Sequence, residues 1–259
     1  MPKFTAVLLF LCMFPVRVFA FSVEHDFNVR LGVFNASDTT FTYALTPGGY
    51  AVSSEVATAG LFDTLYPFKA VYSTTGKIKN GGFETSSYKY ESRSRFTKRT
   101  KELVYDDNGL PLYRISSKND REKKVEIKND LNNRDTTDLQ TVFAKLARQY
   151  NQLKFCDSRM EVFDGKRRFS VIFKDEGREN VALNGKFKIS GEAAKCSMYI
   201  DKLNSKDDDL LWELTSKHPV YFWIMEHPEK KVPFIAKIEV EETPLGKLEV
   251  YSQNIKIKE

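Results

Sequence analysis

The chain has 259 residues, 41% of them hydrophobic and 29% charged, with 20 Phe and 12 Tyr. Forty basic residues against 35 acidic give a net charge of +5, too mild to point to a nucleic-acid partner by itself. The length suffices for one large β domain or two small ones.

In chain order, the first feature is MPKFTAVLLFLCMFPVRVFA. Lys3 makes a positive start, residues 4–16 form an apolar run, and Val18-Phe19-Ala20 offers small or modest side chains where a signal peptidase reads. The run is shorter than the roughly twenty apolar residues that a transmembrane helix needs. A lipoprotein site at Cys12 is disfavoured because Leu11 stands where a small residue is expected. A signal peptide over 1–20 is expected, with the mature domain at 21–259 exported, soluble and without a transmembrane segment. Losing Lys3 and Arg17 leaves 38 basic against 35 acidic residues, a net charge of +3.

Period-2 alternation then dominates, as half-buried strands require. Phe27, Val29, Leu31 and Val33 fall on one face of an early strand. "FTYALTPGGYAVSSEV" reads as a hairpin with Phe41, Tyr43 and Leu45 facing inward and Tyr50, Val52 and Val56 returning. "GLFDTLYPF" (60–68) predicts one helical turn stopped by Pro67. Strands are expected at 68–78, 83–95, 96–105 and 110–117, the last two joined through Asp106-Asp107-Asn108-Gly109. Residues 118–135 are charged and rich in Asn and Asp, with a short edge strand at Val125 and Ile127. They mark a seam between two halves.

"TTDLQTVFAKLARQY" (136–150) predicts a helix. Thr137 and Gln140 fit a capping box, and Leu139, Val142, Phe143, Leu146 and Tyr150 make one apolar stripe. Such a helix covers the sheet or plugs one end of it; a mobile lid over a cavity has the same pattern. Strands follow at 154–163, 166–175, 180–190, 194–203, 219–226, 232–242 and 246–257. Asp164-Gly165 signals a tight hairpin, with Lys166, Arg167 and Arg168 as a charged tip. With a two-residue loop, Cys156 would stand opposite Phe173. "HPVYFWIMEHP" (218–228) reads as a strand buried on both faces or one lining an apolar pocket.

Without Cys12, Cys156 and Cys196 remain, an even pair that in an exported chain reads as one disulfide closing a loop of about forty residues. A metal or redox pair would need closer spacing and a nearby histidine. Strands two apart in a sheet are too far for bridging, so Cys156 is expected where the helix hands over to the strand, stapling helix to sheet. Chemistry is otherwise sparse. No nucleophile elbow, metalloprotease helix, phosphate loop or dinucleotide fingerprint is present. His25, His218 and His227 are far apart, and Asp207 to Asp209 match no calcium loop. No catalytic residue, cofactor or metal is expected. The stretch "YKYESRSRFTKRTK" (88–101) gathers Lys89, Arg93, Arg95, Lys98 and Arg99 among aromatics. In an exported chain this is a solvated outer face or a site for an anionic ligand or lipid headgroup, in peripheral contact with a membrane, rather than for nucleic acid.

Taken in order, "TAGLFDTLYPFKAVYSTTG" (58–76), "LVYDDNGLPL" (103–112), the helix near 136–150, "VFDGKRRFSV" (162–171) and "VPFIAKIEVEETPLGKLEV" (232–250) resemble the domain of unknown function 3108 family of exported proteobacterial proteins. The resemblance covers nearly all of the mature chain. It implies a periplasmic, antiparallel protein with a rolled or incomplete barrel beside a helix, similar in architecture to envelope lipoprotein carriers. The family supplies no catalytic residues to transfer. The fold expected is mainly β, one large curved antiparallel sheet or open barrel with one amphipathic helix. The expected function is non-enzymatic binding of an amphipathic or lipidic envelope component. The alternative is a structural or interaction protein supporting envelope integrity, with a filled interior and no small ligand.

Overall fold

The computed structural model describes residues 21–46, 48–128, 133–202, 218–243 and 246–258. The expected leader and the Asp207–Asp209 run lie outside the described residues.

Eight strands come first: β1 (Phe21–Leu31), β2 (Phe34–Thr46), β3 (Gly49–Thr58), β4 (Phe68–Lys79), β5 (Gly82–Ser94), β6 (Lys98–Tyr105), β7 (Pro111–Lys118) and β8 (Arg121–Glu126). A short helix, α1 (Gly60–Leu65), interrupts them between β3 and β4, and Pro67 follows it as expected. The long helix α2 (Leu139–Leu153) separates this run from β9 (Ser158–Phe163), β10 (Arg168–Asn184), β11 (Lys188–Lys202), β12 (Val220–Glu226), β13 (Pro233–Val240) and β14 (Leu248–Lys258).

All fourteen strands form one antiparallel sheet in the order β8-β7-β6-β5-β4-β3-β2-β1-β14-β13-β12-β11-β10-β9. Each strand pairs with its successor except β8 and β9, which are the two edges. The sheet is joined instead by β1 against β14, with Ser22 facing Lys258 and Leu31 facing Leu248. The sheet is not closed, so the expected mainly β, open, curved architecture is the one observed. The charged 118–135 stretch contains β8 and precedes α2 in the sequence, so the two edge strands, β8 and β9, are consecutive in the chain.

Side-chain and loop contacts span the gap between those edges. Thr137 donates its N–H to Glu161 O and accepts from Phe163 N, continuing the ladder past β9. The hairpin between β9 and β10 reaches the opposite strands: Lys101 Nζ donates to Asp164 O at 3.2 Å, and an Arg114 guanidinium nitrogen to Gly165 O at 3.0 Å. Gly165, at φ +88°, lets this happen, because a Cβ there would press on Arg114 Cδ at 3.1 Å and Leu103 Cδ1 at 3.3 Å. Lys166 is exposed as expected of the tip, but this corrects the reading of Arg167 and Arg168 as solvated. The loop has four residues, since Arg168 pairs with Phe163. Arg167 folds back onto the Asp164 carboxylate at 2.7 Å. Ser158, not Cys156, faces Phe173.

Three other expectations change. Val33 is outside the β1 face and sits in the turn after Gly32. Residues 166–190 are not two strands: β10 runs unbroken through 168–184, with an irregular register between Asp175 and Arg178, and the Asn184-Gly185 turn leads into β11. The cap of α2 is Asp138 rather than Thr137, with its carboxylate accepting from Gln140 N at 2.9 Å and Thr141 N at 3.2 Å.

The stripe on α2 packs as its spacing dictates. Val142, Leu146 and Tyr150 are buried against Phe169, Phe173 and Phe222, with Leu139 and Phe143 alongside. Phe173 meets Phe222 edge-on at 5.8 Å between ring centroids. β12 is buried on both faces, because the far end of the β10–β11 hairpin folds over its outer side. Leu183 and Ala193 cover Trp223, Met225 and Phe234 there, and Phe187 N donates to Gln253 O. Cys156 lies in the short link from α2 to β9 and Cys196 on β11, at disulfide distance, with their Cα atoms 6.1 Å apart. A bridge there ties the end of the helix to the sheet.

Candidate functional site: an apolar cavity inside the open barrel

Strands β1 and β2 turn inward-facing apolar residues toward α2 across an open space, while β3 reaches the helix through Tyr50 and Ser54. Between them lies a cavity of about 1130 Å³, larger than the 300–1,000 Å³ typical of small-molecule pockets. Val23, Phe27 and Val29 of β1 and Phe41, Tyr43 and Leu45 of β2 form one wall along nearly the full strand length. The inner face of α2, through Phe143, Ala147 and Asn151, forms part of the other.

The N-terminus of α2 is seated by a buried polar cluster. Asp138 accepts from Thr74 Oγ1 at 2.7 Å, Thr85 Oγ1 at 2.8 Å and Thr141 Oγ1 at 2.5 Å. Tyr50 OH lies 2.7 Å from Thr141 Oγ1. The Tyr50 ring covers Gly76 so closely that a Cβ would fall 2.3 Å from it. Only glycine admits the ring. A carboxylate with this many hydroxyl and amide donors needs no cation beside it, and it fixes α2 across the sheet.

Titration inside the cavity favours neutral groups. Burial pushes the His25 imidazole down to about 3 against the opposing pull of Asp26, so it is uncharged at neutral pH. Its Nε2 lies 2.7 Å from Ser252 Oγ. Burial likewise raises Tyr72 to about 12 and pushes Tyr43 and Tyr88 higher still. Besides the Asp138 carboxylate, charge enters at two places. Toward the end of the barrel that carries α1, Asp164 lies with Arg167 and Lys101; burial pushes its carboxyl up, but these two cations outweigh it and hold the carboxyl below its usual range. At the far end, Arg148, Lys230 and Lys231 line the cavity. Arg148 donates to Gly81 O and lies 5.7 Å from the Phe83 ring centre.

The five cations expected to meet an anionic head, Lys89, Arg93, Arg95, Lys98 and Arg99, do not line this cavity. Tyr88 faces inward, so alternation turns Lys89 and Arg93 to the convex face. There Lys89 pairs with Glu102 at 3.2 Å. Arg95 sits in the β5–β6 turn and Lys98 pairs with Asp120. Arg99 shares the concave face with Lys101 but is exposed beyond the lining. Of the cations in the 88–101 stretch, Lys101 on β6 does line the cavity; the other lining cations, Arg148, Arg167, Lys230 and Lys231, lie elsewhere in the chain. In "HPEKKVPF" no local pattern distinguishes a turn lysine that borders a cavity from one that does not.

Among the described residues, no group of three His, Cys, Asp or Glu side chains is placed to hold a metal, and no described helix is long and apolar enough to cross a membrane. No curated protein matches the chain. Among solved structures, it is similar to one described as a crystal structure of a beta-barrel-like protein of domain of unknown function DUF1849 from Brucella abortus. The TM-score is 0.49 at 10% identity, over 93% of this chain and 98% of that one. The family model described as "Protein of unknown function (DUF3108)" matches residues 26–250, nearly the whole sheet with its helix, and the chain therefore belongs to that family.

Proposed function

We propose that this is a non-enzymatic protein of the periplasm that shelters the apolar part of an amphipathic envelope component in its barrel. The observation that carries this is the cavity of about 1130 Å³, walled along β1 and β2 by aromatic and aliphatic side chains. Filling it with an alkyl or acyl chain removes apolar surface from water at roughly 25 cal/mol per Å². A headgroup bearing negative charge finds Arg148, Lys230 and Lys231 at the far end of the same space.

Native mass spectrometry of protein purified from the envelope, followed by solvent extraction, tests the reading. A lipid recovered at near-stoichiometric level supports it. So does displacement of a fluorescent acyl probe that fails when Val29→Trp and Ser54→Trp fill the cavity. Repeated recovery of empty protein that also ignores the probe would favour the structural role instead.

A further inference from the structure

The two ends of the barrel carry different turn chemistry. At the far end the connections use residues suited to tight turns, such as Asn80-Gly81, Asp106 to Gly109 and Asn184-Gly185. At the α1 end, three successive connections instead hold large apolar side chains out in solvent. Val33, between β1 and β2, is 90% exposed; Leu65 and Tyr66, between β3 and β4, are 64% and 75% exposed; Phe96, between β5 and β6, is 81% exposed. Phe34 and Leu61 stand beside them, each about half exposed.

The antiparallel meander forces these three connections onto one rim. Alternate strands are about 10 Å apart, so the side chains span an arc of roughly 20 Å. Single exposed apolar residues are ordinary, but six along one rim form a patch of the kind that marks an interaction site. Packing does not explain them: beside Val33, a Cβ built on Gly32 meets nothing within 4 Å.

The charge around the patch selects its partner. Arg93, Arg95 and Arg99 flank Phe96, all exposed, and none of their guanidinium groups forms a hydrogen bond or ion pair among the described residues. Nearby acids offset only part of this charge: Glu91 is exposed on the same face of β5 as Arg93, and Asp120 at the next connection meets Lys98. Asp63 accepts from Thr58, and Glu241 and Glu242 lie on the β13–β14 connection, where Glu242 meets His218. We propose that this rim docks the protein onto an anionic phospholipid surface. Val33, Leu65, Tyr66 and Phe96 enter the headgroup zone, and the three arginines meet lipid phosphates. The apolar side chains project from three separate connections, which suits a fluid surface that needs no matching shape. Aromatic tips beside arginines are the mixture such an interface favours. The docking does not depend on what the cavity holds.

The test sediments the chain from Phe21 onward, which contains every described strand and helix, with vesicles. One set is phosphatidylcholine alone and the other an equal mixture with phosphatidylglycerol. Binding to the mixed vesicles is expected, weaker by about tenfold on the neutral ones and in high salt. Leu65→Ser with Phe96→Ser is expected to weaken it by about tenfold or more, and replacing Arg93, Arg95 and Arg99 by Ser to abolish the preference for the anionic lipid. These side chains are exposed, so the variants keep the parent's denaturation midpoint. Leu153→Ser, an equally exposed leucine at the end of α2, leaves binding unchanged. The proposal is overturned if the parent ignores mixed vesicles, if the Leu65/Phe96 variant binds as well as the parent, or if Leu153→Ser weakens binding equally.

Discussion

Phe173 and Phe41 are both inward-facing phenylalanines on antiparallel strands of one sheet, but their surroundings differ. Phe173 on β10 is 1% exposed and wedged between Phe143 of α2 and Phe222 of β12. Phe41 on β2 is half-buried and borders the cavity. The β9–β13 side of the barrel is packed to α2, while β1 and β2 stand across the cavity from it. One alternating pattern thus serves two purposes, and the difference is set by where the helix rests. Asp138 anchors one end of that helix beside Thr74 and Thr85, and the Cys156–Cys196 pair holds the other.

That contrast can be broken most severely on the packed side. Phe173→Ala is expected to cost about 3–5 kcal/mol of unfolding free energy in a denaturant titration, because nothing nearby can collapse into the space. Next comes the staple: Cys156→Ser with Cys196→Ser should cost about 2–4 kcal/mol. The double variant should also free the C-terminal turn of α2 to exchange amide hydrogens sooner than its first turn. Acid sharpens the comparison on the hollow side. His25 stays neutral in the folded protein until about pH 3, whereas an unfolded histidine takes a proton near 6.5. The unfolded chain therefore binds more protons between those values, so stability is full above about 6.5 and falls by up to about 1.4 kcal/mol per pH unit below it. In a stability–pH profile, His25→Gln should flatten this slope. Smallest of all is Phe41→Ala, expected to cost about 1 kcal/mol or less while enlarging the cavity. A loss equal to that of Phe173→Ala would mean that the cavity side is packed as well.

Much of the architecture was legible from residue spacing. Alternation in "FTYALTPGGYAVSSEV" gave the β2–β3 register, with Tyr43 facing Val52 and Leu45 facing Tyr50. The Leu139-to-Tyr150 stripe gave the packed face of α2. Apart from Val33, which falls in a local turn, the misreadings share a cause, since each turned on a distant partner. Gly177 in "KDEGREN" looked like a break, but β11 pairs on either side of the irregularity and carries the strand through. Thr137 and Asp138 are both cap-forming residues, and the threonines of β4 and β5 decided between them. Arg167 looked solvated until β6 and β7 came round to meet its loop. The cavity was the least legible part, because a wall of Phe, Tyr and Val reads the same whether it touches a core or faces empty space.

The β1–β14 seam has a consequence for how this sheet is assembled. Residue 22 lies beside residue 258, so the central pairing has the longest loop to close and the highest contact order in the molecule. Until the last strand is made, β1 is a naked edge flanked by finished hairpins, open to pairing with another chain. Slow completion and a window for misassembly are therefore built into the topology, and a shortened chain lacking β14 should aggregate rather than merely lose stability.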